Sequence, residues 1–182
     1  MHMKLESLRL LYEPIVPTHA QELEDALCDS RVYEFITGHR PPSLEELFQA
    51  FTRKAAGSPS TRADEIWIDY AVRSKESGEA IGRVEGTILE GQAEVAYLFG
   101  PRHWGSGYAF ESMSWLQQLL KSEFNVVDLW ATVSEGNSRS IRLLARLGYH
   151  EPNAKLWPMR LLTFNEGDRI FYKSLHPVSN EA

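Results

Sequence analysis

The residues whose types and spacing could do chemistry lie in Gly100-Pro101-Arg102-His103-Trp104-Gly105-Ser106-Gly107-Tyr108-Ala109-Phe110-Glu111. Glycines at this junction let the backbone turn where a Cβ would obstruct it. The apolar run from Val95 to Phe99 enters the turn as a strand, and the run from Ala109 to Leu120 leaves it as a helix. The first amides of a helix have no carbonyl partners, and the helix dipole turns its positive end toward them. Strand, glycine turn and helix N-terminus together make an anion site, most often for a phosphate. Arg102 could contact such a phosphate directly or stand solvated in the loop.

Residue types separate the phosphate sites that share this plan. A P-loop requires a lysine after its second glycine and then a hydroxyl for magnesium. Gly100 and Gly105 have the P-loop spacing, but Ser106 stands where the lysine belongs and Gly107 where the hydroxyl belongs. A dinucleotide turn requires a small third residue so that helix and strand approach closely. After Gly105 and Gly107 that position is the bulky Phe110. Asp128 does stand about 20 residues on, as a ribose-binding acid should, yet it falls near the start of its strand rather than at the carboxyl end.

Periodicity gives the elements that must position the turn. Alternation predicts a strand over residues 5 to 13, ended by Pro14 and Pro17, then a helix over 19 to 29 with Ala20, Leu23, Ala26 and Leu27 on one face. Ser43 followed by Glu46 reads as a capping box opening a helix that stops near Gly57. From Ile66 the period is two, and three runs separated by the turns at Lys75–Glu79 and Glu90–Gly91 form an antiparallel meander ending at Phe99. The helix from Ala109, a strand at 126 to 133 and a helix at 138 to 147 follow. A strand, crossover helix and strand imply a parallel pair. Residues 159 to 164 and 169 to 175 read as a closing hairpin. The expectation is one α+β domain across residues 1–182, built on a mixed sheet.

Composition excludes several classes. Apolar residues make up 43% and charged residues 24%, as in ordinary globular domains. The formal net charge of −6 argues against a nucleic-acid binder or an anionic-membrane binder. Cys28 is the single cysteine, so neither an internal disulfide nor a cysteine metal site is expected, and a free thiol fits a reducing compartment. No run approaches the ~20 apolar residues of a membrane span, and Met1 to Glu6 has no signal-peptide core. The localisation expected is cytoplasmic, with no metal.

A third phosphate pattern, R-x-x-G-x-G, fits Arg102-His103-Trp104-Gly105-Ser106-Gly107, and here the chain resembles the GNAT superfamily of acyl-CoA N-acyltransferases. The run Trp104 to Glu111 is similar to that of its RimJ/RimL-like branch. A second block, Asn137-Ser138-Arg139-Ser140 through Leu147-Gly148-Tyr149, resembles the family's helix at the matching distance. The resemblance implies a mixed, mostly antiparallel central sheet with helices on both faces and splayed parallel strands at the cofactor cleft. It implies acetyl-CoA as co-substrate, with pyrophosphate on Gly105, Ser106, Gly107, Tyr108 and Ala109, and Arg102 beside them. The pantetheine arm would run along the main chain of Leu98 and Phe99, near Asn137 and Ser140, although Asn137 also suits a helix cap.

The acceptor implied is a primary amine, on a small molecule or a protein N-terminus, and a homodimer is compatible with the branch. Glu94 matches the strand carboxylate that would serve as base, with Glu85 as its rival, and Glu111 is structural. Many relatives carry a tyrosine on the second helix that protonates the leaving thiolate, but Leu144 occupies that position. The proton donor is thus unassigned, and a non-catalytic acyl-CoA-binding module is the alternative. The acceptor site would be shaped by the N-terminal helices, by Phe35 to Ser43 and by Glu151 to Pro158, with Tyr33, Phe35, His39, Trp157 and Arg160 as its aromatic and basic set.

Overall fold

The computed structural model describes residues 3–36, 38–59, 61, 64–153 and 165–176. Among these residues six strands form one sheet in chain order: β1 (Leu10–Pro14), β2 (Ile66–Ser74), β3 (Ala80–Leu89), β4 (Gln92–Phe99), β5 (Asp128–Ser134) and β6 (Asp168–Ser174). Every neighbouring pair is antiparallel except β4 and β5, which run parallel. The helices are α1 (His19–Glu22), α2 (Glu24–Leu27), α3 (Leu44–Ala55), α4 (Tyr108–Phe124) and α5 (Ser138–Arg146). This is the mixed α+β sheet expected, including the meander β2–β3–β4 and the crossover β4–α4–β5.

Strand alternation divides the core between the two faces of the sheet. Ile68, Val72, Val84, Ile88, Ala93, Val95 and Phe99 pack with Met113, Leu116 and Leu120 of α4 and with Leu144 of α5. On the other face Ala71 packs with Ala20 and Leu23, with Ala26 and Leu27 of α2, and with Leu47 and Phe51 of α3.

Two boundaries depart from the periodicity. β1 begins at Leu10, because the chain before it folds back: Leu5 accepts from the Tyr12 amide at 2.9 Å and Leu10 from the Ser7 amide at 2.9 Å. Trp115 Nε1 of α4 holds the Lys4 carbonyl at 3.0 Å. The helix expected over 19 to 29 is two short helices broken at Leu23, whose φ of −101° and ψ of 3° leave the helical region. Turning the axis there keeps Ala20, Leu23, Ala26 and Leu27 on the sheet. The hairpin partner expected at 159 to 164 lies outside the described residues, while β6 pairs with β5 along its whole length.

The feature that matters for function is where β4 and β5 separate. They pair at Gln92–Asp128, Ala93–Leu129 and Glu94–Trp130. β4 goes on pairing with β3 as far as Phe99, and β5 with β6 as far as Ser134. From Val95 onward the facing edges have no strand between them among the described residues. The result is a V with its apex at Glu94 and Trp130.

α3 opens on the capping box: the Glu46 amide donates to Ser43 Oγ at 3.2 Å, and the Ser43 amide donates to Glu46 Oε2 at 2.8 Å. Ser43→Ala should lower unfolding free energy by about 1 kcal/mol, read as a shifted urea midpoint with an unchanged slope.

Candidate functional site

The glycine turn stands at the open end of the V. After β4 the chain makes one 3₁₀ turn, Pro101–His103, and then reaches Gly105 and Gly107, each at φ +80°. That left-handed conformation is open to glycine and strained for a side chain, so the two glycines bracket Ser106 in a fixed bend. Gly107 caps α4, and the first carbonyl–amide bond of the helix runs from the Glu111 amide to Gly107 at 3.1 Å. The amides of Tyr108, Ala109 and Phe110 precede that bond and lack intrahelical partners. Gly105, Ser106 and Gly107 are exposed.

Cations surround the bend although the chain is acidic overall. The Arg139 guanidinium stacks on Trp104 at 3.8 Å, Arg9 on Tyr108 at 4.6 Å and Arg146 on Phe110 at 4.8 Å. Arg102 is 81% exposed, 4.0 Å from the Asp25 carboxylate. Trp104 also fixes the bend to the sheet, because its indole N–H donates to the Phe99 carbonyl at 2.8 Å.

One clasp holding the bend has no signature in the sequence. Glu111 accepts from Ser7 Oγ at 2.6 Å and from the Arg9 amide and Arg9 Nε at 2.7 Å each. Arg9 Nη1 then donates to the Ser106 carbonyl at 3.0 Å. Glu111 is therefore a structural bracket, tying the segment before β1 to the helix start. Burial pushes its carboxyl up, but the Ser7 and Arg9 donors outweigh this and hold it below the usual carboxylate range.

Strand geometry decides which main-chain groups face the gap. The Gly100 amide donates to the Ile81 carbonyl of β3 at 3.0 Å. By the alternation of a strand, Leu98 and Ala96 also turn their groups to β3, and Val95, Tyr97 and Phe99 turn theirs to the gap. The Phe99 carbonyl is the one taken by Trp104. The Leu98 side chain packs on the α1–α3 face. Across the V, Asn137 caps α5, its Oδ1 accepting from the Ser140 amide at 3.1 Å. Ser140 is half-buried one turn before Leu144, which is 0% exposed.

The two candidate bases differ in surroundings. Glu94 is half-buried at the apex of the V, opposite Thr87 and Trp130. Glu85 belongs to a cluster of charges beneath α3, bonded by Arg83 at 2.6 Å and by Lys54. Asp69 completes it, 2.9 Å from Lys54 and 3.0 Å from Arg83. Burial pushes Glu85 up, but Arg83 and Lys54 outweigh this and hold it far below the usual range. Burial, followed by the charge of Glu85, pushes Asp69 up. Glu85, paired in this way, has little tendency to take a proton.

The segment after α2 crosses the open end of the V. Tyr33 ends a 3₁₀ turn, and Ser134 Oγ at the end of β5 donates to the Phe35 carbonyl at 2.6 Å. His39 is exposed. Trp157 and Arg160 lie outside the described residues.

Residues 9–150 match the family described as Acetyltransferase (GNAT) domain. Spermidine N-acetyltransferase of Vibrio cholerae, solved in complex with CoA and spermine, superposes with a TM-score of 0.70 at 14% identity, over 92% of this chain and 96% of that one. The uncharacterised protein YkkB of Bacillus subtilis (strain 168) is 32% identical over 89 residues, 47% of this chain and 50% of the relative, so the match spans about half of that relative's length. YoaA of the same organism, an uncharacterised N-acetyltransferase, is 24% identical over 150 residues, 81% of this chain and 82% of the relative.

The clasp has a pH signature. Because the folded-state pKa of Glu111 is depressed, its contribution is present above the unfolded-state value and lost as pH falls through the folded one. Wild type should be more thermostable than Glu111→Gln above about pH 5, and the gap should shrink toward about pH 3. Melting temperatures of both proteins across that range check it.

Proposed function

The chain belongs to the acetyltransferase (GNAT) family, and from that premise we propose that it transfers an acetyl group directly from acetyl-CoA to a primary amine. The acceptor is a small-molecule amine or a protein N-terminus, and the branch is the RimJ/RimL-like one. The observation that carries this reading is the V: a strand edge with no neighbouring strand past Glu94 among the described residues leads straight to a glycine bend and the first amides of α4. An extended amide-containing arm ending in a pyrophosphate matches both at once.

The bend tests the fit of the group. Exposed Gly105 and Gly107 bring backbone close without a Cβ on either side of the exposed Ser106, and the amides of Tyr108 and Ala109 offer donors at the positive end of α4. Arg102 and Arg139 add positive charge beside it. The main-chain groups of Val95, Tyr97 and Phe99 would hold the pantetheine arm, with Asn137 and Ser140 on the opposite wall. Leu98 would serve through the register it fixes with β3. When bound, acetyl-CoA supplies an activated acyl group.

The protein must then position an amine and accept its proton. Glu94 stands at the apex, where the acceptor side meets the end of the open edge. It would take the amine proton, directly or through a water, as the nitrogen attacks the thioester carbonyl. Glu85 is the weaker base, because Arg83 and Lys54 neutralise it. The thiol released has a pKa of about 8.5, so it leaves as a thiolate with little help near neutral pH.

Leu144 favours the second reading, a non-catalytic acyl-CoA-binding module, since a buried leucine stands where a proton-donating tyrosine is common in the family. The two readings part on turnover. With acetyl-CoA and a panel of polyamines, aminoglycosides and N-terminal peptides, thiol release is expected with at least one class. Glu94→Gln should lower kcat about 100-fold or more, with CoA affinity unchanged by calorimetry. CoA binding without turnover across the panel would select the binding module, and absence of CoA binding would remove both.

A further inference from the structure

The stretch around α5 is basic in an acidic chain. From Gly136 to His150 the sequence has Arg139, Arg142 and Arg146 and no acidic residue, although the whole chain has a net charge of −6. Spacings of three and four residues put these arginines on one side of the helix, and all three are exposed. Among the described residues no carboxylate pairs with any of them. Arg139 stands in the first turn of α5, where the helix dipole disfavours a cation. Its place asks for a reason outside the helix.

Two of the three reach from the β5 side to the wall that carries the glycine bend. Arg139 stacks on Trp104, just before the bend, and Arg146 on Phe110, just after it. The two aromatic rings bracket the bend, and their arginines stand about 10 Å apart along the α5 axis. A guanidinium stacked through its face keeps the N–H donors of its edge for an anion. Arg9 also stacks, on Tyr108, but its donors are spent on Glu111 and on the Ser106 carbonyl. A groove of about 750 Å³ adjoins the bend, lined by Gly107, by Phe110, Ser114 and Gln118 of one face of α4, and by Arg146. It offers room for a ring system next to the bend, with an unspent guanidinium at its side.

We propose that α5 supplies two separate phosphate anchors, Arg139 for the diphosphate of the acyl donor and Arg146 for a phosphate on its nucleoside, so that the chain selects a donor phosphorylated at the ribose. This rests on the acetyl-transfer reading above, in which CoA seats its diphosphate at the bend. The nucleoside leaves the bend through the groove beside Gly107, and its 3′-phosphate meets the edge of Arg146. One anchor at the bend would hold the diphosphate and distinguish nothing beyond it. Two anchors set a fixed distance apart respond to the spacing of two anions. Phe110 is a positioning residue for the second anchor, because its ring holds the guanidinium in one plane before the donor arrives. Arg142 has no ring beneath it and adds charge without direction.

The test needs no knowledge of the acceptor. Calorimetry on the full chain compares CoA with 3′-dephospho-CoA, which keeps the diphosphate and lacks the ribose phosphate. Wild type should bind CoA about tenfold or more tightly than dephospho-CoA. Arg146→Ala should bring the two ligands within about twofold by weakening CoA alone, and Arg146→Gln, which keeps the stem over Phe110, should do the same. Arg139→Ala should weaken both ligands by one common factor. Phe110→Leu should narrow the discrimination in wild type and leave it unmoved in Arg146→Ala, a result that a merely structural ring would not give. A wild type that binds both ligands alike, an Arg146→Ala that weakens both alike, or an Arg139→Ala that moves neither overturns the proposal and leaves CoA binding standing. Failure of wild type to bind either ligand overturns the acetyl-transfer reading and this one with it.

Discussion

Strands β4 and β5 share three residue pairs, and almost everything of functional interest follows from their ending there. Each strand is held on its other side by a longer run of antiparallel pairs, with β3 for one and β6 for the other. Each half of the sheet can then follow its own twist. Past Glu94 the two edges face one another with no strand between them among the described residues. Main chain at such an edge is costly to leave unbonded, and this is what supports the gap as the proposed seat of an extended chain of amides. The glycine bend begins where β4 ends and is fixed to it through the Trp104 indole and the Phe99 carbonyl. The open edge and the glycine bend are thus one rigid object.

Much of this was legible wherever the signal was local. Ser43 and Glu46 announced the start of α3, the Gly105–Gly107 spacing announced the bend, and Asn137 announced the start of α5. Such signals act over three or four residues, and tertiary packing seldom overrides them. The strand start at Leu10 was not legible, because alternation continues through residues that fold back onto α4. The break at Leu23 was equally hidden: a four-residue apolar spacing fits one straight helix or two short ones that turn with the sheet. Nor could periodicity say which main-chain groups of β4 face the gap. That depends on register with β3, a property of two strands rather than one.

The charges beneath α3 are a second constraint that a single-sequence reading passes over. Lys54, Asp69, Arg83 and Glu85 come from one helix and two strands and meet where the sheet face is otherwise apolar. Two cations and two carboxylates balance, so no net charge is buried. Breaking such a set by removing one member is costlier than its net worth, because a partner is left uncompensated. The cluster fixes α3 over β2 and β3, and with it one wall of the face on which Glu94 opens. It also explains why Glu85, an attractive proton acceptor on paper, is spent in holding the scaffold.

The clasp of Ser7 and Arg9 on Glu111 has a consequence for the order in which the molecule is completed. Its partners are about a hundred residues apart along the chain. During synthesis the amino-terminal segment emerges first and must wait for the bend and the first turn of α4 before its donors find an acceptor. Closing so long a loop carries an entropic cost before any contact is gained, and contacts of this separation slow folding. The glycine bend can form from its own residues, but it is locked only when the two ends of this long loop have met. The glycine bend is therefore among the last features of the fold to become rigid.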